Sequence, residues 1–278
     1  FVSFPEPMVR AADKVRGKPE RFADHYTQPT LFFNSQTPVE QQHIINAFRF
    51  ELSKVQVPAV RERMVSGLMN VAKELAEAVA RGLGMSGMPQ PLPKVLQKKV
   101  RPEVTESKAL SLFARRGTVG IQARRIAFLV ADGVNGEAAR AVADRITAEG
   151  AVAVFVAPTL GAVKAGKGKT IQADASLEVA PSVVFDAVVI GDAGAVLAAD
   201  GRAVEFIKDQ YRHCKAILAL GSGRELIAKA GIPEQLPSGD PDSGLLIAAD
   251  AAARHLDAFV KAVAAHRHFA RESDPPIV

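Results

Sequence analysis

The stretch ILALGSGRELIAKAGI, Ile217 to Ile232, decides the reading of the second half of the chain. An apolar run stops at a tight Gly-Ser-Gly turn and a helical pattern starts at once. Many α/β enzymes mount a nucleophile on such a sharp strand-to-helix elbow. Here the top of the turn is Gly221, which carries no reactive atom, and Ser222 and Gly223 complete it.

Working outward, the same alternation fills residues 124–278. IAFLVAD, AVAVFVAP, DAVVIGD, KAILALG and SGLLIAAD are short apolar runs suited to buried parallel strands. GEAARAVADRITAEG, RAVEFIKDQYRHC, RELIAKAG and AAARHLDAFVKAVAAHRHF carry the helical period between and after them. Such alternation predicts an α/β fold, a doubly wound parallel sheet with helices on both faces. The less regular section 161–184, with GKGKT and IQADASL, predicts a small hairpin.

The front half reads differently. Residues 1–35 are rich in Pro, Phe and polar residues without a sustained period, so they predict an extended arm that needs another surface for its apolar side chains. At Thr37-Pro38-Val39-Glu40 a capping Thr, a Pro at the first helical position and a Glu three residues after the cap predict a helix start. Ile44, Ile45, Phe48 and Leu52 continue it, and further helices follow in PAVRERMVSGLMNVAKELAEAVARGLG, giving a small helical unit over 36–87. Prolines 89, 91, 93 and 102 then break the pattern, so 88–123 reads as a long linker whose parts lie along neighbouring surfaces.

At 278 residues, the chain has room for two domains. No apolar run approaches the roughly 20 residues needed to cross a bilayer, so no membrane partner is expected. The amino terminus does not read as a signal peptide, and it starts without Met, as a chain that begins in the middle of something. The single cysteine, Cys214, excludes an internal disulfide and suits a reducing, cytoplasmic setting. The net charge of +5 is uneven. Residues 1–123 hold 18 Lys/Arg against 11 Asp/Glu, leaving 35 − 18 = 17 against 30 − 11 = 19 for the rest. The basic excess sits in a Pro-broken linker with Lys98, Lys99 and Arg101 and no interleaved aromatics, which reads as solvated charge and not as a nucleic-acid surface.

In a doubly wound sheet, ligands bind beyond the carboxyl ends of the strands, so three loops are candidates. Asp132-Gly133-Val134-Asn135-Gly136 lacks the full G-x-G-x-x-G pattern, and the next strand ends in Ala157-Pro158 where a ribose would want an acid. Gly221-Ser222-Gly223 lacks G-x-S-x-G because Leu220 and Arg224 flank it, which argues against hydrolysis by Ser222. Gly191-Asp192-Ala193-Gly194 is small and implies no partner residue. Cys214 falls at a helix carboxyl end on the opposite edge, where a thiolate is disfavoured, and reads as packing. His266 and His268 are two apart, off a common helical face, and His25 has no ligand-like spacing, so no metal site is expected.

FADHYTQPTLFFNSQTPVEQQHIINAFRFELSKV, followed by VRERMV and VARGLG, resembles the helical carboxyl-terminal portion of large-subunit haem catalases, and the likeness extends over the entire chain. The resemblance implies that 124–278 is flavodoxin-like and similar to the class I glutamine amidotransferase superfamily. It implies a degenerate elbow: active relatives place Cys where Gly221 stands and an acid where Asn135 stands. It also implies a parent that dismutates hydrogen peroxide with haem. None of the haem-pocket motifs is present, so the haem-bearing barrel would precede Phe1 and no cofactor site is assigned within this chain. The expected partners are that barrel and sister subunits of a homotetramer, with stability and assembly as this chain's role and no peroxide turnover of its own. The alternatives are a chaperone-like module that binds unfolded clients, or a hydrolase using Ser222.

Overall fold

The computed structural model describes residues 16–98, 100–114 and 119–278. The first part of the expected arm, and Lys99 with residues 115–118 of the linker, lie outside the described residues. Two compact units divide between Arg115 and Arg116.

The first unit is helical. Helix α1 spans Thr27–Asn34, α2 Pro38–Ser53, α3 Pro58–Leu68 and α4 Lys73–Gly82. Helix α1 corrects the reading of an extended arm up to residue 35. Asp24 Oδ1 accepts the Thr27 amide at 3.2 Å, and Pro29 falls in the first turn, where its missing N–H has no intrahelical partner to lose. The turn delivers Phe33 to a core with Leu52, Val65, Leu68, Leu75 and Val79. Helix α2 starts as the Thr37 motif predicts: Thr37 N donates to Glu40 Oε2 at 2.8 Å, and Glu40 N donates to Thr37 Oγ1 at 3.4 Å.

Glu40 also reaches forward. Its carboxylate accepts Leu112 N at 2.7 Å and Ser111 Oγ at 2.9 Å, while Ser35 Oγ accepts Ser107 N at 2.8 Å. Burial opposes the charge on Glu40, but these donors outweigh it and hold the carboxyl below its usual range. Leu92 N donates to Ser66 O at 3.1 Å, and Asn70 Nδ2 to Leu92 O at 2.8 Å. The stretch read as linker is therefore fastened along the helical unit at both of these places.

The second unit is the expected doubly wound, flavodoxin-like sheet. Strands β1 Arg125–Leu129, β2 Val152–Ala157, β5 Ala175–Ser176, β6 Ala187–Ile190, β7 Ala216–Leu220 and β8 Leu245–Ala248 form one sheet in the order β5-β2-β1-β6-β7-β8. Every neighbouring pair in it is parallel. Strands β3 Gly161–Lys164 and β4 Thr170–Ala173 make the separate antiparallel hairpin expected for this section. The β6 and β7 runs are buried throughout because helices cover both faces. Helices α5 Gly136–Ala148 and α9 Ala253–Ala265 pack together, and α6 Gly194–Ala198, α7 Gly201–Arg212 and α8 Arg224–Lys229 form the other layer. A short α10, Ala270–Ser273, follows. The chain leaves β1 for β2 on one side and returns to β6 on the other, so the switch point lies between the loops after β1 and β6.

Candidate functional site

The elbow is a single turn of 3-10 helix, Gly221–Gly223, between β7 and α8. Gly221 has φ +52°, a left-handed conformation open to glycine and disfavoured for other residues. Its neighbour across the turn is Asp192, from the loop after β6. Asp192 Oδ1 accepts the Ser222 amide at 2.8 Å, and a Cβ built on Gly221 would stand 2.6 Å from the same oxygen. Ser222 Oγ accepts the Gly194 amide at 3.0 Å, and Gly194 is so close to the Ser222 carbonyl that a side chain there would collide with backbone. The loop Gly191–Gly194, in which the sequence implied no partner, is thus the partner that locks the elbow.

Asn135 belongs to another part of the same edge. Its Oδ1 caps α5, accepting the amides of Glu137 at 3.2 Å and Ala138 at 3.1 Å. The β3–β4 hairpin fastens to the loop just before it. Lys164 N donates to Asp132 Oδ1 at 2.9 Å, Gly133 N to Lys164 O at 2.8 Å and Gly166 N to Val134 O at 3.1 Å. Lys169 and Lys167 then approach Glu137 Oε1 at 3.3 and 3.5 Å and hold that carboxyl below its usual range. The structure joins Gly221 and Ser222 to Asp192 and sets Gly223 against the Ile190 and Gly191 carbonyls; among the described residues it records no hydrogen bond from Asn135 to any of them. With its oxygen committed to two helix amides, Asn135 acts as a cap.

The buried groups with the largest shifts lie at the opposite, amino-terminal edge of the sheet. Arg271 and Asp242 form an ion pair at 2.7 Å that is almost wholly buried. Arg271 also donates to Lys215 O at 2.8 Å, and its guanidinium lies 4.2 Å from the centre of the Tyr211 ring. The Lys215 ammonium donates to Phe185 O at 2.6 Å, Ser182 O at 3.2 Å and Val183 O at 3.3 Å; burial, with help from Arg267, pushes it down to about 8. The Cys214 thiol donates to Glu272 Oε1 at 3.6 Å, and burial with that carboxylate pushes it up to about 12. It packs, as its position in the sequence predicts. His268 Nε2 faces the Ala262 carbonyl at 3.1 Å and Nδ1 faces Ser243 Oγ at 2.9 Å, so both nitrogens are engaged. Among the described residues, no group of three or more His, Cys, Asp or Glu is placed to hold a metal.

Haem needs an axial His, Tyr, Met or Cys thiolate. Of the buried donors, Cys214 and Tyr211 are held in their protonated forms by burial and neighbouring carboxylates, and His268 has no free nitrogen. Tyr26 lines a cavity of about 450 Å³ with Asp24, Thr27 and Lys94, the Lys94 ammonium lying 5.8 Å from its ring centre. Cys214, Tyr211 and His268 therefore do not fit a haem. The partners of Asp192, Asp242 and Lys215 could not be read from the sequence because they lie about 30 residues away along the chain, beyond any local motif.

A family model described as the C-terminal domain found in long catalases matches residues 122–273, and a second, described as catalase-related immune-responsive, matches residues 19–83. Catalase HPII of Pseudomonas putida is 40% identical over 267 residues, covering 94% of this chain and 35% of that protein. Catalase C of Rhizobium meliloti is 38% identical over 236 residues, covering 84% and 33%. Catalase-2 of Bacillus subtilis is 33% identical over 261 residues, covering 93% and 36%. The chain spans about a third of the length of the curated relatives it matches.

Proposed function

We propose a role whose premise is that this chain belongs to the family of large-subunit catalases. In this role the whole protein dismutates hydrogen peroxide to water and oxygen with haem, and the present residues contribute stability and assembly, not chemistry. The elbow supports the absence of chemistry: where a nucleophile would project there is Gly221, with the Asp192 carboxylate against it. Ser222 does not replace the nucleophile, because its oxygen serves the Gly194 amide in a structural hydrogen bond. The haem would be ligated by residues that this chain does not contain, and the proposed partners are that haem-bearing portion and sister subunits of a homotetramer. The single thiol, inert in its buried place, suits a cytoplasmic setting.

The test is the visible absorption spectrum of the purified 278-residue chain, with peroxide turnover measured alongside. The expected result is no Soret band and no turnover. A stoichiometric band, or turnover above the buffer rate, overturns the proposal.

A second reading, a client-binding module, is favoured by one observation. The first unit exposes large apolar side chains, among them Phe22 at 70%, Phe50 at 64% and Leu112 at 58%. Such surfaces mark interaction sites when they are contiguous. Light scattering from an aggregating client protein, with and without the chain, decides it: unchanged aggregation removes this reading.

A further inference from the structure

In a nucleophile elbow, the reactive side chain projects from the top of the turn, and the N–H of the next residue binds the oxyanion. The top of the turn here is Gly221 at φ +52°, and the next N–H is that of Ser222. Both places are taken by one group. The Ser222 N–H donates to Asp192 Oδ1 at 2.8 Å, and a Cβ on Gly221 would meet Asp192 at 2.6 Å from Oδ1, 2.8 Å from Cγ and 3.2 Å from Oδ2. The carboxylate is held there by its loop, since Gly194, two residues on, donates its amide to Ser222 Oγ at 3.0 Å.

We propose that Asp192 is an internal plug: its carboxylate occupies both the nucleophile's place and the oxyanion seat of the elbow, so that positions 192 and 221 exclude each other's side chains. The inference rests on the reading of the elbow as noncatalytic and adds how the turn is kept closed. The seat is suited to a negatively charged oxygen, and the chain supplies that oxygen itself. Two consequences follow from chemistry. Any side chain at 221 must push the carboxylate back to ordinary contact distance, and a thiol placed there still sits beside a negative charge, which raises its pKa and lowers its thiolate fraction.

The chain offers a clean readout, because its one native thiol, Cys214, is buried with its pKa pushed up to about 12 and stays silent towards alkylating reagents. The experiment compares the rate of iodoacetamide alkylation at neutral pH in Gly221→Cys with that in Gly221→Cys/Asp192→Ala and Gly221→Cys/Asp192→Asn. The expected result is a rate at least about tenfold higher in both double variants, as removal of a carboxylate within contact of a thiol shifts its pKa by about one unit. Equal rates within twofold overturn the plug. If Gly221→Cys fails to fold, rescue of folding by Asp192→Ala supports the proposal. If rescue fails, hydrogen exchange decides: Asp192→Ala alone, which leaves Gly221 intact, is expected to speed exchange of the Ser222 amide, and an unchanged rate overturns the proposal. Peroxide turnover does not enter any of these measurements, so they can fail while the proposed role in a catalase stands, and the reverse.

Discussion

The two edges of the sheet differ in a way that reverses the usual arrangement of an α/β enzyme. In such folds the carboxyl edge carries the reactive groups and the perturbed pKa values. Here that edge is built from Gly191, Gly194, Gly221 and Gly223 around Asp192, with Asp192 Oδ1 and Ser222 Oγ each accepting a backbone amide. The amino edge holds the buried Asp242–Arg271 pair, Lys215 on three carbonyls, Cys214 and His268. Buried, shifted groups therefore do not by themselves mark a site. At the amino edge they tie the segment after α9 to the starts of β7 and β8, a structural use of charge.

The sharpest way to break this contrast is to remove Arg271. Arg271→Met leaves Asp242 buried without its partner and is expected to cost about 3–5 kcal/mol in urea unfolding. If it costs no more than a change at the carboxyl edge, the contrast fails. Gly194→Ala tests the tightness of the carboxyl edge and is expected to lose about 1–3 kcal/mol, read as a fall in the thermal midpoint, because the added methyl meets the Ser222 carbonyl.

Titration probes the amino edge further. Lys215 falls from 10.5 to about 8 on folding, so above pH 8 the unfolded chain holds a proton that the folded chain has released, and stability rises with pH. Cys214 rises from 9 to about 12, so above pH 9 the folded chain keeps a proton that the unfolded chain has lost, and stability falls. The wild-type urea midpoint should climb from pH 8 to 9 and level off from 9 to 10. In Cys214→Ala it should keep climbing, with the unfolding free energy gaining about 1.4 kcal/mol over that second unit, and in Lys215→Met the first climb should vanish. The smallest effect is expected at Asn135→Ala, about 1 kcal/mol of cap lost by thermal unfolding, with no change in any activity.

The sheet was legible because a buried parallel strand must be apolar on both faces, and runs such as KAILALG and DAVVIGD announce that directly. Helix α2 was legible because Thr37, Pro38 and Glu40 act within one turn of one another. Helix α1 was hidden by Pro29, a residue that breaks a helix interior but is harmless as the third residue of the first turn. The absence of a nucleophile at Gly221 could be read from the turn alone, whereas the reason the turn stays shut could not. Asp192 is one carboxylate in a small-residue loop, and only the fold brings it against the elbow.

Glu40 has a consequence for how the polypeptide behaves when it is cut. The carboxylate that finishes the first turn of α2 also receives Leu112 and Ser111, while Ser35 receives Ser107. A protease that severs the chain between Leu92 and Ser107 would not free the downstream fragment, since its anchors are noncovalent and lie beyond the nick. Such a molecule would run as two bands on a denaturing gel and as one species in gel filtration, the break being invisible until α2 melts.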